Sequence, residues 1–294
     1  MDVEGAARQH LTSGRTGGRM GAARGMGMAV RQLILVLASA SALLPLYSMV
    51  TAAFKGQMDY LAHPLGLPLH PTTAAFIQAL NSGFLRWLAN SALISGVSVL
   101  ITLALASLAA YAFSRLPFPG RSVTFTLLIS LMVVPPIVML IPLYELMTDL
   151  NLVNTYQAVI VIYAGLMLPF SIYLLTSFFN TVPRELLEAG AIDGAGHVRT
   201  LLTIIMPLAT PALVTLGIVN LLWAWNELLI ALVFLQDDTM KTLMVGITVF
   251  QSHFNLDVPV TMAGLLIATL PIVAIYLGGQ RFFVQGLAAG AIKE

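Results

Sequence analysis

Cysteine is absent from the 294 residues, so neither a disulfide framework nor a thiolate metal site can form. Charge is almost as scarce. Asp, Glu, Lys and Arg make up 9% of the chain and hydrophobic residues 58%, whereas a soluble domain carries about 25% charged residues. Water cannot be the solvent for most of such a chain. The net charge of +1 is too small to gather a polyanion, which argues against nucleic acid as a partner. His10, His63, His70, His197 and His253 are scattered without H-x-x-H or H-E-x-x-H spacing, and read as loop residues rather than metal ligands. A G-x-x-x-x-G-K-[ST] phosphate loop, a G-x-S-x-G elbow and paired intramembrane carboxylates are also missing. Catalysis and nucleotide binding therefore have nothing to stand on, and no cofactor is expected.

What the chain does have is long apolar runs. Crossing the hydrocarbon core takes about 20 apolar residues at 1.5 Å per residue. Six stretches qualify, at about 33–54, 88–113, 123–143, 158–179, 208–235 and 260–279, and the only charged side chain within them is Glu227. The runs are apolar on every face, without the ten-residue alternation of a membrane β-barrel. The fold class expected is an all-α polytopic bundle of six transmembrane helices. Prolines punctuate it, with Pro135, Pro136 and Pro142 in the third run, Pro169 in the fourth, Pro207 and Pro211 leading into the fifth, and Pro271 in the sixth. Each removes a backbone donor and bends its helix.

Basic residues set the orientation, because Lys and Arg accumulate in cytoplasmic loops. Arg8, Arg15, Arg19, Arg24 and Arg31 precede the first run, and Arg115, Arg121, Arg184, Arg199, Arg281 and Lys293 fall on the same side. Lys55, Arg86 and Lys241 fall on the other. Both termini should face the cytoplasm. A cleaved signal peptide is the rival reading of the first run, but 22 apolar residues exceed the 7–15 of a signal core. Residues 1–32, a low-order mix of Gly, Arg, Ala, Ser and Met, read as a disordered cytoplasmic tail.

The most informative segment is the cytoplasmic loop 181–207. Pro183 suits a first helical turn, and Glu185 sits where the positive end of the helix dipole favours an anion. Leu186, Ala189, Gly190 and Asp193 recur at i, i+3, i+4 and i+7, a face of small residues that another protein could approach closely. Asp193-Gly194 is a turn signal, and a second helix from His197 to Met206 leads into the fifth run.

This loop resembles the "EAA" loop of the membrane subunits of binding-protein-dependent ATP-binding-cassette importers, with the pattern E-A-A, three residues, G, nine residues, I, one residue, L-P. Here the pattern reads Glu188-Ala189-Gly190, Gly194, Ile204 and Met206-Pro207, departing at Gly190 and Met206. Trp223-Ala-Trp-Asn-Glu227, Asn90-Ser91 and the C-terminal stretch from Gln280 to Lys293 resemble segments of the carbohydrate permeases of that family, specifically the smaller, maltose-transporter-like partner of the pair. The resemblance implies a type I importer permease fold in a prokaryotic plasma membrane. It implies that Glu188, Ala189, Gly190, Asp193, Gly194, Ile204 and Pro207 form or shape the docking site for a separate ATPase. The implied partners are a second homologous permease, an ATP-binding-cassette ATPase dimer, an extracytoplasmic solute-binding protein and membrane lipid, and the implied cargo is a sugar. A glycerol phosphodiester or sugar phosphate is the alternative cargo within the family. An ion-coupled secondary transporter is the alternative outside it, although a single intramembrane carboxylate is a thin supply of coupling groups.

Glu227 needs a reason of its own, since a carboxylate in a spanning helix costs at least about 2.5 kcal/mol. With its neighbour Asn226 it is expected either at the translocation path or in a polar contact with an adjacent helix or subunit. Its place toward the outer end of the fifth run favours the second role.

Overall fold

The computed structural model describes residues 16–249 and 257–291; the remaining segments, with Arg8, His10, Arg15, His253 and Lys293, lie outside the described residues. All regular elements among the described residues are helical. The ten that matter here are α1 (Thr16–Ala53), α2 (Leu85–Arg115), α3 (Arg121–Ser130), α4 (Leu140–Asp149), α5 (Tyr156–Thr181), α6 (Arg184–Ile192), α7 (Thr210–Asn226), α8 (Leu229–Phe234), α9 (Leu243–Val249) and α10 (Val258–Ala291).

Four apolar spans are continuous, at Arg31–Ala53, Ala74–Arg115, Tyr156–Thr181 and Val258–Gln280. Two more are bent pairs, Arg121–Val133 with Pro136–Asp149 at 96°, and His197–Leu208 with Thr210–Asn226 at 80°. Counting each bent pair as one span gives the six that the hydropathy implies.

The bends have local causes. Val134 is extended (φ −77, ψ 116), as a residue ahead of proline must be, and Pro135 is extended in turn (φ −63, ψ 133). The third span therefore stops and restarts. In the fifth, the chain turns at Ala209 (ψ 3) between Pro207 and Pro211, where two missing amide donors weaken the ladder. The prolines at 45, 169 and 271 are instead absorbed inside α1, α5 and α10.

The structure corrects the sequence reading in two places here. The first helix begins at Thr16, within the stretch 1–32 read as disordered. Extending an existing helix avoids the nucleation cost that penalises an isolated one, and Ala, Met and Arg are good helix formers. The fifth apolar run is not one helix to residue 235, because α7 ends at Asn226 and Glu227 is extended (φ −70, ψ 124).

The centre of the bundle is the pair α2 and α5. Ser95, Ser98 and Thr102 are buried on α2, and their hydroxyls donate to the carbonyls of Ser91, Ile94 and Ser98 at 2.5, 2.7 and 2.8 Å. Satisfied internally and small, they let α5 approach closely with Ala158, Val159, Ile162 and Tyr163. Asn220 of α7 donates to Ser171 of α5 at 3.0 Å, a buried polar tie of the kind that fixes helix neighbours in lipid. α1 is different. None of the apolar window of Arg31–Ala53 is buried inside the chain, while its end, with Ala53, packs against Ala75, Val260 and Ala263. Its outward face suits lipid or a second membrane subunit.

Candidate functional site

The loop between the fourth and fifth spans is a built element. α6 starts after Pro183, which caps it in an extended conformation rather than occupying its first turn, and Glu185 lies in that turn. The helix closes on Gly194 at φ +76, where an L side chain would be strained. Gly194 N donates to Ala191 O at 3.0 Å and Ala195 N to Gly190 O at 2.9 Å, the paired bonds of a Schellman end. Gly196 then opens a second helix at His197, which passes through a wide turn at Leu201–Ile205 before the bend at Ala209.

Glu188, Ala189, Asp193 and Gly194 are exposed, together with Leu186, while Ile192 is 86% exposed at the tip of α6. Gly190 is not part of that surface, contrary to the docking face read from the sequence. It is buried, and a Cβ built on it would lie 2.7 Å from Cδ1 of Ile204. Gly190 and Ile204 instead form the seat of the loop, with Leu187 on the same inward side packed against the buried cluster that includes Leu201, Ile205 and Phe179. The inward stripe runs through Leu187 and Gly190, so it shares Gly190 with the face chosen from the sequence but takes Leu187 in place of Leu186. Pro207 lies further on, exposed, just before the bend.

Three side chains tie this loop to the bundle, and sequence reasoning missed all of them as a group. The Arg115 guanidinium, at the C-terminal end of α2, donates to the carbonyls of Phe179 and Val182, the latter at 2.7 Å. A cation there also suits the negative end of the α5 dipole. One turn earlier Tyr111 meets His197 Nδ1 at 3.1 Å. Arg115 looked like one more topogenic charge, and nothing in a lone tyrosine or histidine announces a partner 86 residues away.

Glu227 sits at the break between α7 and α8. Its carboxylate accepts the amides of Ile230 at 3.0 Å and Ala231 at 3.1 Å, capping α8, and accepts the Tyr163 hydroxyl at 2.8 Å. Trp223 stands edge-on to Tyr163 with ring centroids 5.4 Å apart. Asn226 is exposed, and its amide donates back to Leu222 O at 2.7 Å.

On the opposite end of the bundle the segment Gln236–Lys241 is gripped from three sides. Asn90 donates to the carbonyls of Thr239 and Lys241 at 3.0 and 2.9 Å and accepts the Tyr156 hydroxyl at 2.9 Å. Trp87 donates to Asp238 O at 3.2 Å, and Ser91 accepts Leu243 N at 2.8 Å. Asn154 accepts the amides of Gln236 and Asp237 at 3.0 Å each. The amide and hydroxyl of Thr239 hold the Asp237 carboxyl below the usual carboxylate range. No group of three or more potential metal ligands occurs among the described residues.

Residues 102–288 match the family described as binding-protein-dependent transport system inner membrane component. Similar proteins include the melibiose/raffinose/stachyose import permease protein MelC of Bacillus subtilis, 33% identical with 93% of this chain and 100% of that protein covered. The trehalose/maltose transport system permease protein MalG of Thermococcus litoralis is 36% identical over 88% of this chain and 94% of its own length. Among solved structures, a chain of a bacterial ABC transporter involved in the import of the acidic polysaccharide alginate superposes with a TM-score of 0.79 at 23% identity, covering 88% of this chain and 97% of that one. A fold of four continuous and two bent spans, a helical loop between the fourth and fifth, and a match over 102–288 identify the chain as a member of the family of inner membrane components of binding-protein-dependent transport systems.

Proposed function

We propose that this chain is the permease subunit of a sugar importer, forming half of the translocation pathway beside a homologous second permease, and that loop 181–207 docks a separate ATP-binding-cassette ATPase. The observation that carries the reading is the exposed tip of α6. Leu186 and Ile192 on α6, and Val198 just beyond its closing turn, are large apolar side chains left uncovered, flanked by Glu188 and Asp193, while the other side of α6 is seated in the bundle. Apolar groups on a loop that leaves the membrane are costly in water unless a partner covers them. The names of the permeases MelC and MalG support a di- or oligosaccharide as cargo. The excess of Arg in the connections at Arg115–Arg121 and Arg184–Arg199 supports placing this loop, and both termini, in the cytoplasm. Gln236–Lys241 then faces outward, where a solute-binding protein docks.

The test is capture of the ATPase. The tagged permease pair should retain the ATPase through detergent purification, and the double substitution Leu186→Ser and Ile192→Ser should release it while the two permeases still copurify. Undiminished retention would remove the docking role from the α6 tip.

A further inference from the structure

α2 is 31 residues without a break, about 46 Å at 1.5 Å per residue, in a bundle whose third and fifth spans are bent by 96° and 80°. Polar side chains hook both of its ends to segments far away in sequence. At the inner end Arg115 holds Val182 O, just before α6, and Tyr111 holds His197, just after the turn that closes α6. Both ends of the docking loop are therefore fixed to one turn of α2. At the outer end Trp87, Asn90 and Ser91 hold the backbone of Asp238, Thr239, Lys241 and Leu243. The partner helix α5 is bonded to α2 at the same two levels, by Tyr156 to Asn90 outside and by Arg115 to Phe179 O inside. Between these ties the buried serine and threonine face of α2 packs on α5, and the Ser98 hydroxyl also reaches Ile160 O at 3.3 Å.

We infer that α2 and α5 act as one rigid strut that fixes the α6 loop relative to the outer segment 236–241, so that a displacement imposed outside is delivered at the ATPase side. The inference rests on the permease reading above. Asn90 and Arg115 are its positioning residues, one at each end. Asn90 is well suited to this, because its amide uses both donor hydrogens and its carbonyl in three bonds, all to other elements.

The test uses the complete complex in nanodiscs: this chain, its sister permease, the ATPase dimer, and the binding protein loaded with whichever of raffinose, maltose or trehalose it retains. ATPase activity is read with and without the loaded binding protein. N90D keeps the shape of the side chain but cannot donate to the two carbonyls, and R115Q loses the charged fork. Each should lower the stimulated-to-basal ratio by about fivefold or more, the lower end of ordinary coupling free energies. For N90D, which lies far from the docking loop, the basal rate and the amount of copurified ATPase should stay unchanged. R115K, which still donates, should recover part of the ratio, and the double variant should be no worse than the worse single. W87F, which removes one donor to the same segment, is read in the same way if N90D does not accumulate. An unchanged ratio, or a proportional fall of both rates as for a merely structural lesion, overturns the strut. Absence of any stimulation in the unsubstituted complex would overturn the importer reading itself, and the strut with it.

Discussion

The Tyr163 hydroxyl donates to Oε2 of Glu227 at 2.8 Å, and the same oxygen takes the amides of Ile230 and Ala231 at 3.1 Å each. One atom thus binds α5 to the break in the fifth span and caps the helix beyond it. Tyr163→Phe should cost about 1.5–3 kcal/mol, the range for a bond to a charged group. Glu227→Ala should cost more, because it also uncaps α8 and orphans the buried hydroxyl, and Glu227→Gln should fall between. Heating the purified complex and following loss of the monodisperse peak ranks the three. A Glu227→Ala complex of unchanged thermal stability but raised KM for sugar would move Glu227 to the pathway.

Gly194 carries the left-handed conformation that lets α6 turn back at φ +76. A β-branched residue there costs about 1–2 kcal/mol, whereas Asn visits the same region readily. Gly194→Val should therefore reduce the ATPase that copurifies with the permease pair, and Gly194→Asn should retain most of it. Equal retention by both would show that the turn does not present the docking surface.

Gly246 on α9 is packed under the Trp87 ring, and a Cβ built there would lie 2.1 Å from the ring atom Cδ2. The indole is also held by Asp238 O, so it has little freedom to retreat. Gly246→Ala should destabilise by about 1–3 kcal/mol, as overpacking does. Gly165→Ala is the control, since nothing lies within 4 Å of its Cβ position and alanine favours the helix. A heating series in which the two variants behave alike would contradict this packing.

Orientation can be tested cleanly because the chain has no cysteine of its own. In whole cells, Ser122→Cys should be shielded from an impermeant thiol reagent and Asp238→Cys should label. The reverse pattern would invert the assignment of both loops.

The spans and the helical loop were legible in the sequence because hydrophobic length and Gly-centred turns are local signals. The start of α1 at Thr16 was not, since Ala, Met and Arg interleaved with glycine gain helicity only by adjoining a span that already forms. Gly190 was misplaced because a face of small residues reads alike whether it meets a partner or its own chain. Only the position of Ile204 decides. Glu227 was read as a charge inside a helix, although its side chain replaces the helix at a break that neither proline nor glycine marks. The grips of Asn90 on Thr239 and Lys241, and of Arg115 on Val182, depend on pairings across 149, 151 and 67 residues, which no local pattern encodes.

The central claim is that this chain transports only as one part of an ATP-driven assembly. Its most direct test is uptake of radiolabelled raffinose, maltose and trehalose into proteoliposomes. ATP-dependent accumulation of at least one sugar should occur with the permease pair, the ATPase and the binding protein together, and should vanish when this chain, its sister or the ATPase is left out. Robust uptake by this chain alone, driven by a proton or sodium gradient, would contradict the account.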